Sequence, residues 1–139
     1  MKTLGRLVLA LAALGSRTEA RAQVLWGNTL VGPDTPFGVP VDVDFAAAYL
    51  LVGRELAGGK LSARGDWFET HDNSFVASDD NNEHGWAGTL AYKHPVTHFA
   101  ELIVELLHVE SERPARLLNA GVPAQQNQTQ LQTALRVGF

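Results

Sequence analysis

The chain holds few groupings that could do chemistry. Its five histidines, His71, His84, His94, His98 and His108, are scattered. His94 and His98 have the i, i+4 spacing that aligns two imidazoles on a helix for a metal ion, but Pro95 breaks any such helix. The run Asp79-Asp80-Asn81-Asn82-Glu83 offers carboxylates for calcium. It lacks the alternating ligand spacing of a calcium loop and reads as a solvated loop. Glu101 and Glu105 could be paired carboxylates, yet no nucleophile or oxyanion motif accompanies them. There is no phosphate-binding loop and no Gly-x-Ser-x-Gly motif. The absence of cysteine excludes disulfides, thiolate catalysis and zinc sites built on sulfur. A formal charge of −4 argues against nucleic acid as a partner. No catalytic residue, metal ligand or cofactor is therefore assigned, and the chain reads as something other than an enzyme.

The elements that carry the polar residues are more informative. In the 139 residues, 45% are apolar and 19% charged, so the chain is neither disordered nor membrane-helical in bulk. Period-two alternation, which puts successive side chains on opposite faces of a strand, recurs along it. At the C-terminus Thr129, Leu131, Thr133, Leu135, Val137 and Phe139 alternate with Gln128, Gln130, Gln132, Ala134, Arg136 and Gly138. In 86–93, Trp86, Gly88, Leu90 and Tyr92 oppose Ala87, Thr89, Ala91 and Lys93; in 60–70, Leu61, Ala63, Gly65 and Trp67 oppose Lys60, Ser62, Arg64 and Asp66. In 41–54, Val41, Val43, Phe45, Ala47, Tyr49 and Leu51 oppose Asp42, Asp44, Ala46, Ala48 and Arg54. A further strand covers part of 18–30, with Ala20, Ala22, Val24 and Trp26 opposite Glu19, Arg21 and Gln23.

Residues 97–110 read both ways. Phe99, Leu102, Ile103, Leu106 and Leu107 fit a helical template, and only the neighbouring strands favour a strand here. The connections order the whole. Leu56-Ala57-Gly58-Gly59 and Lys93-His94-Pro95-Val96 are short, whereas 31–40, 71–84 and 111–127 are long and polar. Along the chain they alternate long and short. An up-and-down meander of about six antiparallel strands then has every tight turn at one end and every long loop at the other, the layout of a transmembrane β-barrel of the bacterial outer membrane.

Such a barrel turns apolar residues to lipid and polar ones to a wet lumen. The expected pore-lining set is Asp42, Asp44, Arg54, Arg64, Asp66, Lys93, Glu101, Glu105, Gln128, Gln130, Gln132 and Arg136. Its mixture of both charges and amides suits a hydrated wall. The expected lipid-facing and girdle set is Trp67, Trp86, Leu90, Tyr92, Leu131, Leu135, Val137 and Phe139. The alternative is a secreted soluble α+β binding module in which 97–110 is a helix packed on an antiparallel sheet.

Residues 1–22 have the form of a signal peptide: basic Lys2 and Arg6, apolar Leu7 to Gly15, and Ala20-Arg21-Ala22 as a small-x-small cleavage site. The expected division is thus a signal-like helix over 1–22 and a barrel segment over 23–139. Without the first 22 residues the formal charge becomes −7, since Lys2, Arg6, Arg17 and Arg21 leave with Glu19.

The final strand ending in Phe139 resembles the terminal signature of outer-membrane barrel proteins. The stretches Ala48-Tyr49-Leu50-Leu51, Glu83-His84-Gly85-Trp86, Glu105-Leu106-Leu107-His108-Val109 and Gln128-Thr129-Gln130-Leu131-Gln132 resemble the last strands of proteobacterial porin-like proteins, broadly similar to the phosphate-selective porin group. The resemblance spans roughly 20–139. It implies passive diffusion and ion transport of small hydrophilic solutes through a water-filled channel, and recognition of the terminal strand by the outer-membrane assembly machinery. It does not imply phosphate selectivity, because no basic ladder stands out. The chain departs from the family in length, since single-chain barrels begin at about eight strands. The lipid bilayer is the expected partner. Either the chain is the C-terminal part of a longer protein, or several copies close one barrel, or two further strands lie unrecognised in the sequence; the expectation is a fragment.

Overall fold

The computed structural model describes residues 5–7, 17–31, 41–74 and 80–138. They form one antiparallel sheet in which each strand pairs with the next in sequence. The strands are β1 (Gly5–Leu7), β2 (Thr18–Val31), β3 (Val41–Leu56), β4 (Gly59–Asp72), β5 (Glu83–Thr97), β6 (Ala100–Glu112) and β7 (Gln125–Val137). A single short helix, α1 (Ala115–Ala120), lies between β6 and β7. The six-strand meander read from the sequence is therefore present as β2 to β7. Among the described residues the sheet is open, because β1 pairs only with β2 and β7 only with β6.

Three stretches bear on the sequence reading. Residues 97–110 are strand from Ala100 on, as the neighbouring strands predict, and not the helix of the alternative reading. Their helical periodicity is overridden by thirteen backbone pairings on each side, from Thr97↔Ala100 to His84↔Glu112 and from Ala100↔Val137 to Glu112↔Gln125. Within 1–22, Gly5–Leu7 and the residues from Thr18 onward are strand, while 8–16 lies outside the described residues. Residues 18–22 lie in register with 50–54 of β3, so the stretch ahead of the cleavage site is part of the sheet. The third stretch is the 111–127 connection, which contains α1. Its end is closed by Gly121 at φ 65°, whose N–H reaches back to the carbonyls of the helix.

The tight turns follow from local chemistry. Ala57 and Gly58 link β3 to β4 with φ of 51° and 76°, the two left-handed residues of a type I′ hairpin, whose twist matches that of the flanking strands. Gly59 follows because a Cβ there would sit 2.4 Å from the Lys93 carbonyl oxygen. The β5–β6 turn at His98-Phe99 follows a register irregularity between Pro95 and Thr97, where proline cannot donate to the ladder.

Among the described residues no second layer covers the sheet. Among the described residues only Ala100 and Ala115 are buried apolar side chains. What separates the two faces is their exposure. Along β4, Gly65, Trp67, Glu69 and His71 are exposed, while Asp66, Phe68, Thr70 and Asp72 between and after them are half-buried; Arg64 alone on that second face is exposed. Curvature produces this pattern in a single sheet: side chains splay on the convex face and crowd on the concave one.

Candidate functional site

The register assigns every strand residue to one of two faces, because directly paired residues share a face. The crowded face carries the charged residues and amides and is the candidate site. It presents Glu19, Arg21 and Gln23 from β2; Tyr49 and Glu55 from β3; Lys60, Ser62, Arg64 and Asp66 from β4; Thr89 and Lys93 from β5; Glu101 and Glu105 from β6; and Gln126, Gln128, Gln130, Gln132 and Arg136 from β7.

These side chains brace one another across the strands. Near the turns, Lys60 Nζ donates to Glu19 Oε1 at 2.6 Å, reaching from β4 to β2 over β3. Gly53 makes that reach possible, since a Cβ there would meet the Lys60 chain at 3.0 Å and the Glu19 carboxylate at 3.1 Å. Glu101 lies between two cations, with Lys93 Nζ at 3.1 Å and Arg136 Nη1 at 4.0 Å. Midway along the strands, Arg64 grips Asp66 in a two-pronged pair, Nε to both carboxylate oxygens at 2.9 Å and Nη2 to Oδ1 at 2.5 Å. The same guanidinium lies 4.3 Å over the Tyr49 ring. The glutamines of β7 complete the wall at the sheet edge. Towards the loops the same face becomes apolar, at Leu25, Phe45 and Phe68, and then polar again at Thr70, Asp72 and Glu83.

The loop following β6 closes over this end. Arg116 of α1 donates to the Ser111 carbonyl and the Ala124 carbonyl, each at 3.0 Å, to Ser111 Oγ at 2.7 Å and to Glu83 Oε1 at 2.8 Å. Ser111 and Glu83 both belong to the polar face, so α1 is tied to that side. A second cluster links the β4–β5 loop to its strands. Asp72 accepts from the Ser74 N–H at 2.7 Å and from the Asn81 N–H and side-chain amide, each at 2.9 Å. Hydrogen bonds from Ser74 and Asn81 hold the Asp72 carboxyl well below the ordinary carboxylate range.

The opposite face is apolar. Between the tryptophans and the tight turns it presents Ala20, Ala22 and Val24; Ala46, Ala48, Leu50 and Val52; Leu61 and Ala63; Leu90 and Tyr92; Leu102, Val104 and Leu106; and Leu131, Leu135 and Val137. Among the described residues Arg54, paired with Leu61, is the one Asp, Glu, Lys or Arg on this stretch, and Glu69 and Glu110 lie in register with Trp26 and Trp86 at its loop-side border. Trp67 and Trp86 are directly paired at its loop-side border, with Trp26 one step nearer the loops. His108 lies 5.3 Å from the Trp86 ring, and its Nδ1 meets Thr129 Oγ1 at 2.7 Å. The face is uncovered: Trp67 and Trp86 are each 46% exposed, Leu50 52% and Leu131 68%.

Nine of the twelve expected wall residues, Arg64, Asp66, Lys93, Glu101, Glu105, Gln128, Gln130, Gln132 and Arg136, share the polar face. The other three do not. Asp42 and Asp44 lie on the tryptophan face beyond the apolar band on its loop side, and Arg54 lies on the same face within the band, paired with Leu61 near the turns. Asn28 donates to Asp42 at 2.5 Å and to Asp44 at 2.9 Å. The phase of β3 misleads because its middle is apolar on both faces, so only the terminal charges suggested a side. Glu19, Arg21, Gln23, Tyr49, Lys60 and Ser62 take their place in the wall. Their signal in the sequence is that each stands out of phase with Trp26 or Trp67, or is paired across β3. Of the lipid-facing set, Trp67, Trp86, Leu90, Tyr92, Leu131, Leu135 and Val137 share one face, and Phe139 lies outside the described residues.

The other groupings come apart. His94 stacks on Tyr92 and His98 meets Phe99 edge-on. Glu101 and Glu105 are about 13 Å apart along β6. Among the described residues no three His, Asp or Glu side chains converge as metal ligands would, and no helix is long and apolar enough to cross a membrane, which says nothing of strands. Compared with known protein families, curated proteins and solved structures, the chain matches none.

Proposed function

We propose that this chain forms part of the wall of a transmembrane β-barrel in the bacterial outer membrane, a porin-like channel through which small hydrophilic solutes diffuse passively. One observation carries the reading: the apolar face is the exposed one. A soluble sheet hides its apolar face under a second layer and leaves its polar face in water. Here nothing covers Leu50, Leu90, Leu131 and Leu135, while the charged face is the crowded one. An apolar band bordered by tryptophans, with its one charge, Arg54, near the turns, suits hydrocarbon flanked by headgroups, where indole rings and long basic side chains reside.

On this reading the polar face is the lumen wall. Its charges are balanced in pairs, Glu19 with Lys60, Asp66 with Arg64 and Glu101 with Lys93, which keeps water and ions of both signs acceptable along the path. No step requires a bond to form or break. The strand ends at Val31, Val41, Asp72, Glu83, Glu112 and Gln125 form one mouth, where Arg116 ties α1 to Glu83.

The test is reconstitution of the purified chain in lipid vesicles and planar bilayers. The expected result is quenching of tryptophan emission by lipids brominated on their chains, together with stepwise conductance in potassium chloride. A folded, water-soluble monomer with tryptophans untouched by brominated lipid and no conductance would overturn the reading.

A further inference from the structure

We infer that the open edges of the sheet are joining surfaces for a second copy of the same chain, β7 of one copy pairing with β2 of the next to close one lumen. The inference rests on the membrane reading above and names the partner it lacks. In hydrocarbon an unpaired edge is not tolerated, because its N–H and C=O groups have no water to bond. Both edges are long: among the described residues β7 runs thirteen residues with no strand on its outer side, and β2 runs fourteen with Val24 to Trp26 alone paired to β1.

Three features select a second copy. First, the meander β2 to β7 has an even number of strands, so β2 and β7 run in opposite directions and a copy-to-copy joint is antiparallel like every other pairing in the sheet. Second, the faces match in phase. The apolar face takes even-numbered residues in β2 and odd-numbered ones in β7. With the turn ends level, Ala20 meets Leu135, Val24 meets Leu131, Gln23 meets Gln132, and Glu19 meets Arg136 with opposite charge. Third, two copies bring twelve long strands, within the range of about 8 to 26 found in single-chain outer-membrane barrels. The lumen is incomplete without the second copy, because one copy supplies wall on one side only. The three-residue pairing of β1 gives way to the thirteen-residue strand that competes for the same edge.

The chain has no cysteine, so an introduced pair is unambiguous. The full chain carrying Gln23→Cys and Gln132→Cys is folded into lipid vesicles, oxidised, and run on a non-reducing gel beside the single variants. Tryptophan quenching by brominated lipid reports insertion independently. The expected result is insertion with a disulfide-linked species of twice the 15.0 kDa chain mass, present in the double variant, collapsed by reductant, and matched by a two-chain mass for the unmodified protein in detergent. An intramolecular disulfide in an inserted monomer would show the sheet closing on itself and overturn the inference. Insertion of a one-chain species with no disulfide would overturn it as well, and would assign the missing strands to a longer polypeptide. Absence of insertion would mark failure of the membrane reading itself, and the inference would fall with it.

Discussion

The two faces of this sheet are built from the same strands, one residue out of step, yet they solve opposite problems. The tryptophan face is a set of separate apolar side chains that make little contact with one another and stand exposed. The charged face is cross-braced, with Lys60 reaching over β3 to Glu19, Arg64 clamped on Asp66 and laid on Tyr49, and Glu101 held between Lys93 and Arg136. Protein contacts hold the second face, whereas among the described residues no core holds the first; on the proposed reading the bilayer does. Substitutions at neighbouring positions should therefore behave differently according to face.

The largest difference is expected for a charge placed on each side of β5. Leu90→Arg puts a guanidinium into the apolar band and is expected to cost about 2–4 kcal/mol of folding into bilayers, the usual penalty near the midplane. Thr89→Arg, one residue away on the polar face, is expected to leave that free energy within about 1 kcal/mol. Denaturant titration of vesicle-folded protein measures both, and equal costs would break the distinction between the faces.

A methyl group sharpens the same comparison. At Gly85, on the polar face, a Cβ would lie 2.5 Å from the Glu110 carbonyl oxygen and 2.7 Å from Phe68, so Gly85→Ala must move backbone and is expected to cost about 1–3 kcal/mol. At Gly88, on the apolar face, the nearest atom is 3.6 Å away on Trp86, and Gly88→Ala is expected to be neutral or mildly stabilising. The same titration ranks the two.

The ion pairs of the polar face are expected to matter more to permeation than to stability. Asp66→Asn leaves the Arg64 cation without its carboxylate and should shift selectivity towards anions, read as a change in reversal potential across a potassium chloride gradient. The stability change should stay within about 1 kcal/mol, because the pair is solvated. No shift in reversal potential would remove Asp66 from the conducting path.

The smallest effect concerns pH. The Asp72 carboxyl is held below its ordinary range by Ser74 and Asn81, and it lies five residues beyond Trp67 on the loop side. A carboxyl depressed in the folded state adds stability that is fully present above its unfolded value, about 3.9. That stability declines as pH falls below this value, and it is lost once pH passes the folded value. Hydrogen exchange of the 73–82 loop should therefore be unchanged between pH 7 and 5 and rise only in stronger acid. Asp72→Asn should abolish the acid step, and an equal step in that variant would show that another group is responsible.

Much of this arrangement was legible from residues alone, and the failures are instructive. Alternation located six strands, and the hairpin at Ala57-Gly58 was legible because left-handed backbone needs particular residues. Nine of the twelve expected wall residues share one face because their strands are clearly polar on one side. Asp42, Asp44 and Arg54 were misplaced because β3 is apolar on both faces at its centre, so its phase depends on what it pairs with. Lys60 and Glu19 went unremarked as partners because they lie on different strands, and only Gly53 between them lets the side chains meet. Arg116 was invisible as an anchor, since its acceptors include backbone carbonyls of Ser111 and Ala124.

By itself the sequence determined the strand rhythm, the tight turns and the existence of one charged and one apolar set, because each depends on spacing within a few residues. The tertiary structure decided the rest: that 97–110 is strand despite helical spacing, which face each β3 residue joins, and which charges pair. Those outcomes depend on register between strands, set by backbone hydrogen bonds to segments distant in sequence, and a one-residue slip would exchange every side chain between the two faces.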